Sequence, residues 1–145
     1  MTHSPAPADS AADRVIRVSA IVMRDDTGRV LNVRKRGTDA FMLPGGKPEP
    51  GESAAETALR EFAEELGIEL DPDRLSTVGV FRAAAANEPG FVVEAAVFGH
   101  PLVPAALAAG AHAEIDAVEW IDPAAERSDI APLTTEFVFP ALRSA

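Results

Sequence analysis

The sequence predicts an α+β (mixed α/β) fold. Val/Ile-rich runs outnumber helical periodicities, one mid-chain segment carries both helix-start and helix-stop signals, and a weaker helical stretch closes the chain. A length of 145 residues argues for a single domain. An apolar content of 47% is enough for an ordinary core. No internal repeat interrupts this pattern.

Taken in order, Met1 to Asp13 is rich in Ala, Pro, Ser and Asp, has little to bury and is expected to be a disordered tail; residues 14–145 form the domain. Arg14 to Met23 (RVIRVSAIVM) reads as a strand. Asp25, Asp26, Thr27 and Gly28 make a turn, and Val30 to Val33 begin a second strand, so a hairpin is expected. Phe41, Met42 and Leu43 form a short apolar stretch. A loop of breakers follows, with Pro44, Gly45, Gly46, Pro48, Pro50 and Gly51.

The clearest helix comes next. Ser53 and Glu56 have capping-box spacing, and Gly67 stands where a left-handed C-terminal residue belongs. Ala55, Leu59, Phe62 and Leu66 make one apolar stripe. Val78 to Ala86 and Phe91 to Phe98 read as strands joined by a Pro89-Gly90 type II turn. Pro101 to Ala113 is an Ala/Pro loop, Ala117 to Ile121 a short strand, and Thr134 to Leu142 a helix that Pro140 interrupts.

Composition excludes several classes of function. With no cysteine there is no disulfide, thiolate metal site or Cys nucleophile. No apolar run is long enough to span a membrane, and Met1 to Ala12 lacks the features of a signal peptide, so a cytoplasmic protein is expected. The net charge of −10 disfavours a nucleic-acid polymer or an anionic membrane as partner. Up to Lys47 the chain carries eight bases and five acids; beyond it, five bases and 18 acids. Such separation suits a cation and a phosphate held between the two regions, and equally an acidic surface kept for solubility.

The segment from Gly46 to Ile68, GKPEPGESAAETALREFAEELGI, fits G-x5-E-x7-R-E-U-x-E-E-x-G-U, where U is a bulky apolar residue. Gly46, Glu52, Arg60, Glu61, Glu64, Glu65 and Gly67 are identities, and Phe62 and Ile68 fill the apolar positions. On these residues the chain resembles the Nudix hydrolases of the MutT-like type, and the likeness in element order runs from Arg14 to the C-terminal helix. The resemblance implies an α/β/α sandwich with a mixed sheet, one signature helix and a C-terminal helix. It also implies cleavage of a pyrophosphate bond in a nucleoside diphosphate linked to another moiety, with Mg²⁺ or Mn²⁺ as cofactor.

Physical chemistry agrees with this reading. Glu61, Glu64 and Glu65 at i, i+3 and i+4 share a helical face, and like charges at that spacing cost a helix about 0.2–0.5 kcal/mol per pair. A divalent cation removes that cost, and carboxylate oxygens are the hard ligands Mg²⁺ prefers. A solvated acidic face would show the same spacing, but the Gly-Gly loop and the complete pattern favour a metal. Arg60 stands four residues from both Glu56 and Glu64 and can orient carboxylates. The family pattern pairs it with Glu52 instead.

The resemblance makes Gly45, through its carbonyl, and Glu61, Glu64, Glu65 and Glu114 the metal ligands. Asp116 and Glu119 compete with Glu114 for the late carboxylate. Glu61 and Glu64 are the catalytic candidates, and either of them or Glu114 can serve as general base. Lys47, Arg34, Arg36 and Asn87 are candidate substrate contacts. Alternation sends Arg34 and Arg36 to one strand face and Lys35 to the other, and a basic strand end also serves simply to blunt an edge. Phe81, Phe91 and Trp120 can stack on a base, although alternating aromatics in strands are more often core. His3, His100 and His112 receive no role.

A nucleoside triphosphate, common or oxidised, is the first expectation for the substrate; ADP-ribose or another nucleotide sugar is the second. The proline linked with ADP-ribose enzymes is replaced by Ala83, and the chain has no tyrosine for the dinucleoside polyphosphate pattern. A non-catalytic ligand-binding module remains an alternative, as does homodimerisation, which is frequent in the family. An isoprenoid diphosphate isomerase of this fold would need a catalytic cysteine, which the chain lacks.

Overall fold

The computed structural model describes residues 14–85 and 88–143. The N-terminal tail and Asn87 lie outside the described residues. Strands β1 (Val15–Val22), β2 (Val30–Lys35), β3 (Gly45–Gly46), β4 (Ser76–Ala84), β5 (Val92–Gly99) and β6 (Ile115–Ile121) surround helix α1 (Ala54–Leu66). A π-helical segment, Leu133–Val138, continues into α2 (Phe139–Arg143). Four strands form a mixed sheet in the order β3-β1-β5-β4, and β2 pairs with β6 in a second sheet. None of the described helices is long and apolar enough to cross a membrane.

The central strand shows why the sheet is covered on both faces. Ala20 and Val22 enter one core with Phe41, Val97, Val138 and Phe139. Ile21 and Met23 enter the other with Leu31, Val33, Phe62 and Ile115. Alternating side chains therefore send β1 to α1 on one side and to the C-terminal helix on the other. The mixed architecture expected from the sequence is the one observed.

The expected hairpin forms only at its tip. Asp25 N–H donates to Arg29 O (2.9 Å), Gly28 N–H donates to Asp25 O (3.0 Å), and Leu31 N–H donates to Met23 O (3.0 Å). Beyond that point β1 pairs with β3 and β5, while β2 departs to pair with β6. The strands splay because Phe62 and Leu66 of α1 pack with residues of both, filling the space between the sheets.

Two helix expectations also need correction. The fully buried positions of α1 are Thr57, Ala58, Phe62, Glu65 and Leu66. Of the expected stripe, Phe62 and Leu66 are buried and Leu59 packs partly buried against the same core, while the inward face is widened by Thr57 and Ala58 and carries a carboxylate. Pro140 does not interrupt the C-terminal helix: it lies within the continuous run from the π-helical segment into α2. The Pro89-Gly90 turn is as expected: Phe91 N–H donates to Glu88 O (3.1 Å), and Gly90 has φ +86°.

Helix α1 begins with a complete capping box. Ser53 Oγ accepts Glu56 N–H (3.1 Å), and Glu56 Oε1 accepts Ser53 N–H (2.8 Å). Replacing Ser53→Ala should lower stability by about 1 kcal/mol, measured by urea unfolding with an unchanged slope. An unchanged midpoint would mean that the cap contributes nothing to this helix.

Candidate active site

With α1 held at both ends, its acidic face has a defined position. Gly67 closes the helix at φ +71°, with its N–H donating to Ala63 O (2.8 Å). Arg60 organises the carboxylates around it. Its Nε and Nη2 grip Glu52 at 2.6 and 2.9 Å, a bidentate pair. Its Nη1 donates to Glu61 Oε2 and Glu64 Oε1, both at 3.1 Å, and Nη2 also donates to Lys47 O at 3.0 Å. The Arg60 guanidinium holds the Glu52 carboxyl down at about 2. Glu56, the other partner considered for Arg60, is occupied by the capping box.

Glu65 is the buried member of the cluster. Its Oε1 accepts Gly45 N–H (3.2 Å), and its Oε2 lies 3.2 Å from Lys35 Nζ. Lys35 Nζ also donates to Gly45 O at 3.1 Å. An ammonium thus sits between two oxygens that the sequence resemblance assigns to a metal ion. Glu65 Oε2 is held by the Lys35 ammonium without a hydrogen bond of good geometry, so a cation that displaces the ammonium finds this oxygen and the Gly45 carbonyl already converging. The described residues include no three carboxylates or imidazoles grouped to cage an ion by themselves. This donor set fits Mg²⁺, which typically takes one or two carboxylates and completes its shell with substrate phosphate oxygens.

The two glycines of β3 permit this closeness. A Cβ on Gly45 would lie 2.1 Å from Ser19 O, and one on Gly46 would lie 2.4 Å from Glu61 Cδ. β3 is an edge strand, and a cavity of about 570 Å³ passes around it. Glu61, Glu64, Glu65, Lys35 and Lys47 line it on the α1 side. Ile16, Val18, Leu43, Val93 and Leu133 line it on the opposite face of the sheet. Glu64 is the most exposed of these three glutamates, at 58%, against 18% for Glu61 and 8% for Glu65.

Glu114 also lines the cavity, next to Ala113 in left-handed geometry at φ 51°. Asp116 instead lies 3.7 Å from Arg36, and Glu119 pairs with Arg127. Neither lines the cavity. Arg34 and Arg36, expected near phosphate, do not line it either: Arg34 stacks 5.4 Å from the Phe41 ring centroid, and Arg36 Nη2 donates to Ala113 O (3.0 Å). Lys35 takes their place, since it continues the parity of Leu31 and Val33, which face α1.

Phe81 and Trp120 pack partly buried against the two cores, Phe91 is 37% exposed, and none of the three lines the cavity. His100 Nε2 accepts Asp71 N–H (3.2 Å), and His112 Nδ1 lies 3.2 Å from Glu65 O at the end of α1. Both histidines are engaged by backbone atoms.

Comparison with known proteins bears on the fold as a whole. The sequence profile of the NUDIX domain matches residues 13–138. A Bacillus subtilis protein named as a candidate 8-oxo-dGTP diphosphatase is 38% identical over 47 residues, 32% of each chain. An RNA pyrophosphohydrolase of Halorhodospira halophila is 39% identical over 62 residues, 43% of this chain and 33% of the relative. Each match therefore spans about a third of the relative's length. The crystal structure of a MutT protein from Methanosarcina mazei superposes with a TM-score of 0.71 at 23% identity, covering 90% of this chain and 94% of the other.

Burial pushes Glu65 up to about 7 in the metal-free protein, against the pull of Lys35. Because the folded value is raised, the contribution to stability is fully present below about pH 4.5 and is lost as pH rises through about 7. Glu52 has the opposite sign, and its contribution is lost only as pH falls toward about 2. In chelator, the Tm of the wild type should fall between pH 5 and 8, and Glu65→Gln should flatten that slope. Superimposable profiles would show that Glu65 titrates like a surface carboxylate.

Proposed function

The chain belongs to the NUDIX domain family, and we propose that it hydrolyses a phosphoric anhydride bond in a nucleoside diphosphate linked to another group. The substrate that fits best is a nucleoside triphosphate, common or oxidised, giving a nucleoside monophosphate and pyrophosphate. The observation that carries this reading is the cavity itself, which joins a carboxylate cluster on one face of a sheet to an apolar floor on the other. Its volume of about 570 Å³ falls within the usual range of about 300–1,000 Å³ for small-ligand sites. The Bacillus subtilis relative, named for an oxidised nucleotide, supports the triphosphate choice.

In this proposal the Gly45 carbonyl, Glu61, Glu64, Glu65 and Glu114 hold Mg²⁺ or Mn²⁺. When bound, that ion supplies Lewis-acid polarisation of the phosphate oxygens. Lys35 and Lys47 bring positive charge toward the phosphates from the cavity wall. Arg60 fixes Glu61 and Glu64 in one orientation, so little reorganisation is needed as charge develops. One of these two carboxylates, or Glu114 across the cavity, accepts the proton of the attacking water. Glu64 is the more exposed, and Glu61 lies closer to the Gly46 backbone.

Product analysis tests the reading on a panel of common and oxidised nucleoside triphosphates, ADP-ribose, NADH and dinucleoside polyphosphates. Turnover should require Mg²⁺ or Mn²⁺ and release pyrophosphate from a triphosphate. Removing the general base should lower kcat by about 10²–10⁴-fold. Glu61→Gln and Glu64→Gln are compared directly, and near-normal kcat in the first would place the base at Glu64 or Glu114. Ligand-dependent thermal stabilisation without turnover of any panel member would overturn hydrolysis in favour of a binding module.

A further inference from the structure

On the side of the sheet away from the carboxylates, the cavity wall is mainly apolar, with Glu88 of the loop between β4 and β5 at its edge and Thr134 within it. Thr134 lines the cavity at the start of the π-helical segment, and the residue is only 1% exposed. Its Oγ1 has no hydrogen-bond partner among the described residues. Its backbone is satisfied, with Thr134 N–H donating to Ala131 O at 3.0 Å. Val18, Leu43, Val93 and Leu133 form the surrounding wall.

A buried hydroxyl without a partner destabilises a fold, whereas valine has nearly the same shape and no polar atom. Nothing in the packing of Val138 and Phe139 against the sheet requires a hydroxyl at this position. A polar atom kept in such a place is accounted for if a ligand supplies the missing partner. The carboxylate side of the cavity takes phosphates, so the part of a nucleotide that reaches the apolar side is its flat heterocycle. The apolar wall takes the ring faces, and a hydroxyl can meet either a donor or an acceptor on the ring edge.

We propose that the Thr134 hydroxyl hydrogen-bonds the edge of the substrate's base. This rests on the reading of the site as nucleotide-binding. One hydroxyl that both donates and accepts sets orientation more strongly than it separates keto from amino edges, so the assignment concerns base contact and positioning.

The test compares wild type, Thr134→Val and Thr134→Ser by thermal unfolding without ligand, and by calorimetric titration with the four common nucleoside monophosphates and with pyrophosphate, all in Mg²⁺. Thr134→Val should raise the ligand-free Tm by about 2–4 °C, since it removes an unpaired buried hydroxyl. It should weaken binding of at least one monophosphate by about 10-fold and leave pyrophosphate binding unchanged, while Thr134→Ser restores nucleotide affinity. A lower Tm in Thr134→Val would show that the hydroxyl is already partnered within the fold, and unchanged nucleotide affinity would show that it does not touch the base; either overturns the proposal. A wild type that binds pyrophosphate but no monophosphate would overturn it together with the nucleotide reading of the site.

Discussion

The constraint on which the site depends is the burial of Glu65. A carboxylate on the inward face of α1, 8% exposed, has to be compensated from within. The compensation comes from Gly45 N–H and the Lys35 ammonium, drawn from β3 and β2 respectively. That requirement reaches far into the fold. β3 has to lie against β1 tightly enough that no side chain fits at Gly45, and close enough to α1 that none fits at Gly46. The last residue of β2 has to face α1, while its neighbour Arg34 turns to Phe41. An acidic helix face is thus built by three elements around a single buried carboxylate.

Arg60 does for the outer carboxylates what Lys35 does for the inner one. It anchors Glu52 in the loop before the helix and reaches Glu61 and Glu64 on the helix, so loop and helix form one rigid frame. Holding like charges in register costs little once a guanidinium is shared among them. The frame presents its acidic edge to a cavity whose other half belongs to a different core. The sheet therefore separates the carboxylate side of the cavity from its apolar side by its own thickness, and the short β3 edge is where the two halves meet.

How much of this was legible in the sequence follows the range of the interactions. The limits of α1 were readable because caps are local: Ser53, Glu56 and Gly67 act within one turn of the helix ends. The carboxylate cluster was readable for the same reason, since i, i+3 and i+4 spacing fixes a face whatever the partners are. Strand pairing was not, because β1 chooses β3 and β5 over its neighbour in sequence, a choice made by cores on both sides. The burial of Glu65 was hidden because an apolar stripe through Ala55 and Leu59 counts a glutamate as outward. Lys35 was hidden behind two flashier arginines, although its parity with Leu31 and Val33 held the answer. Thr134 carried no signal at all, since an unpartnered hydroxyl is visible only after its surroundings are packed.

The parallel pairing of β1 with β5 has a consequence for the chain as it is synthesised. Val15 finds Val92 only when most of the chain has emerged, and Val30 waits longer still for Ile121. At about 5–20 residues per second, the nascent strand spends seconds without its partner. During that interval Ala20 to Met23, buried in the finished protein, is an apolar segment open to other chains. Arg14 and Arg17 precede it and Arg24 follows it, the placement of charges that blunts aggregation of an unavoidable hydrophobic strand. In the folded state Arg17 and Arg24 make surface contacts, Arg17 to Glu94 at 3.4 Å and Arg24 Nε to Gly28 O at 3.2 Å. Their value to the protein is greatest before the fold exists.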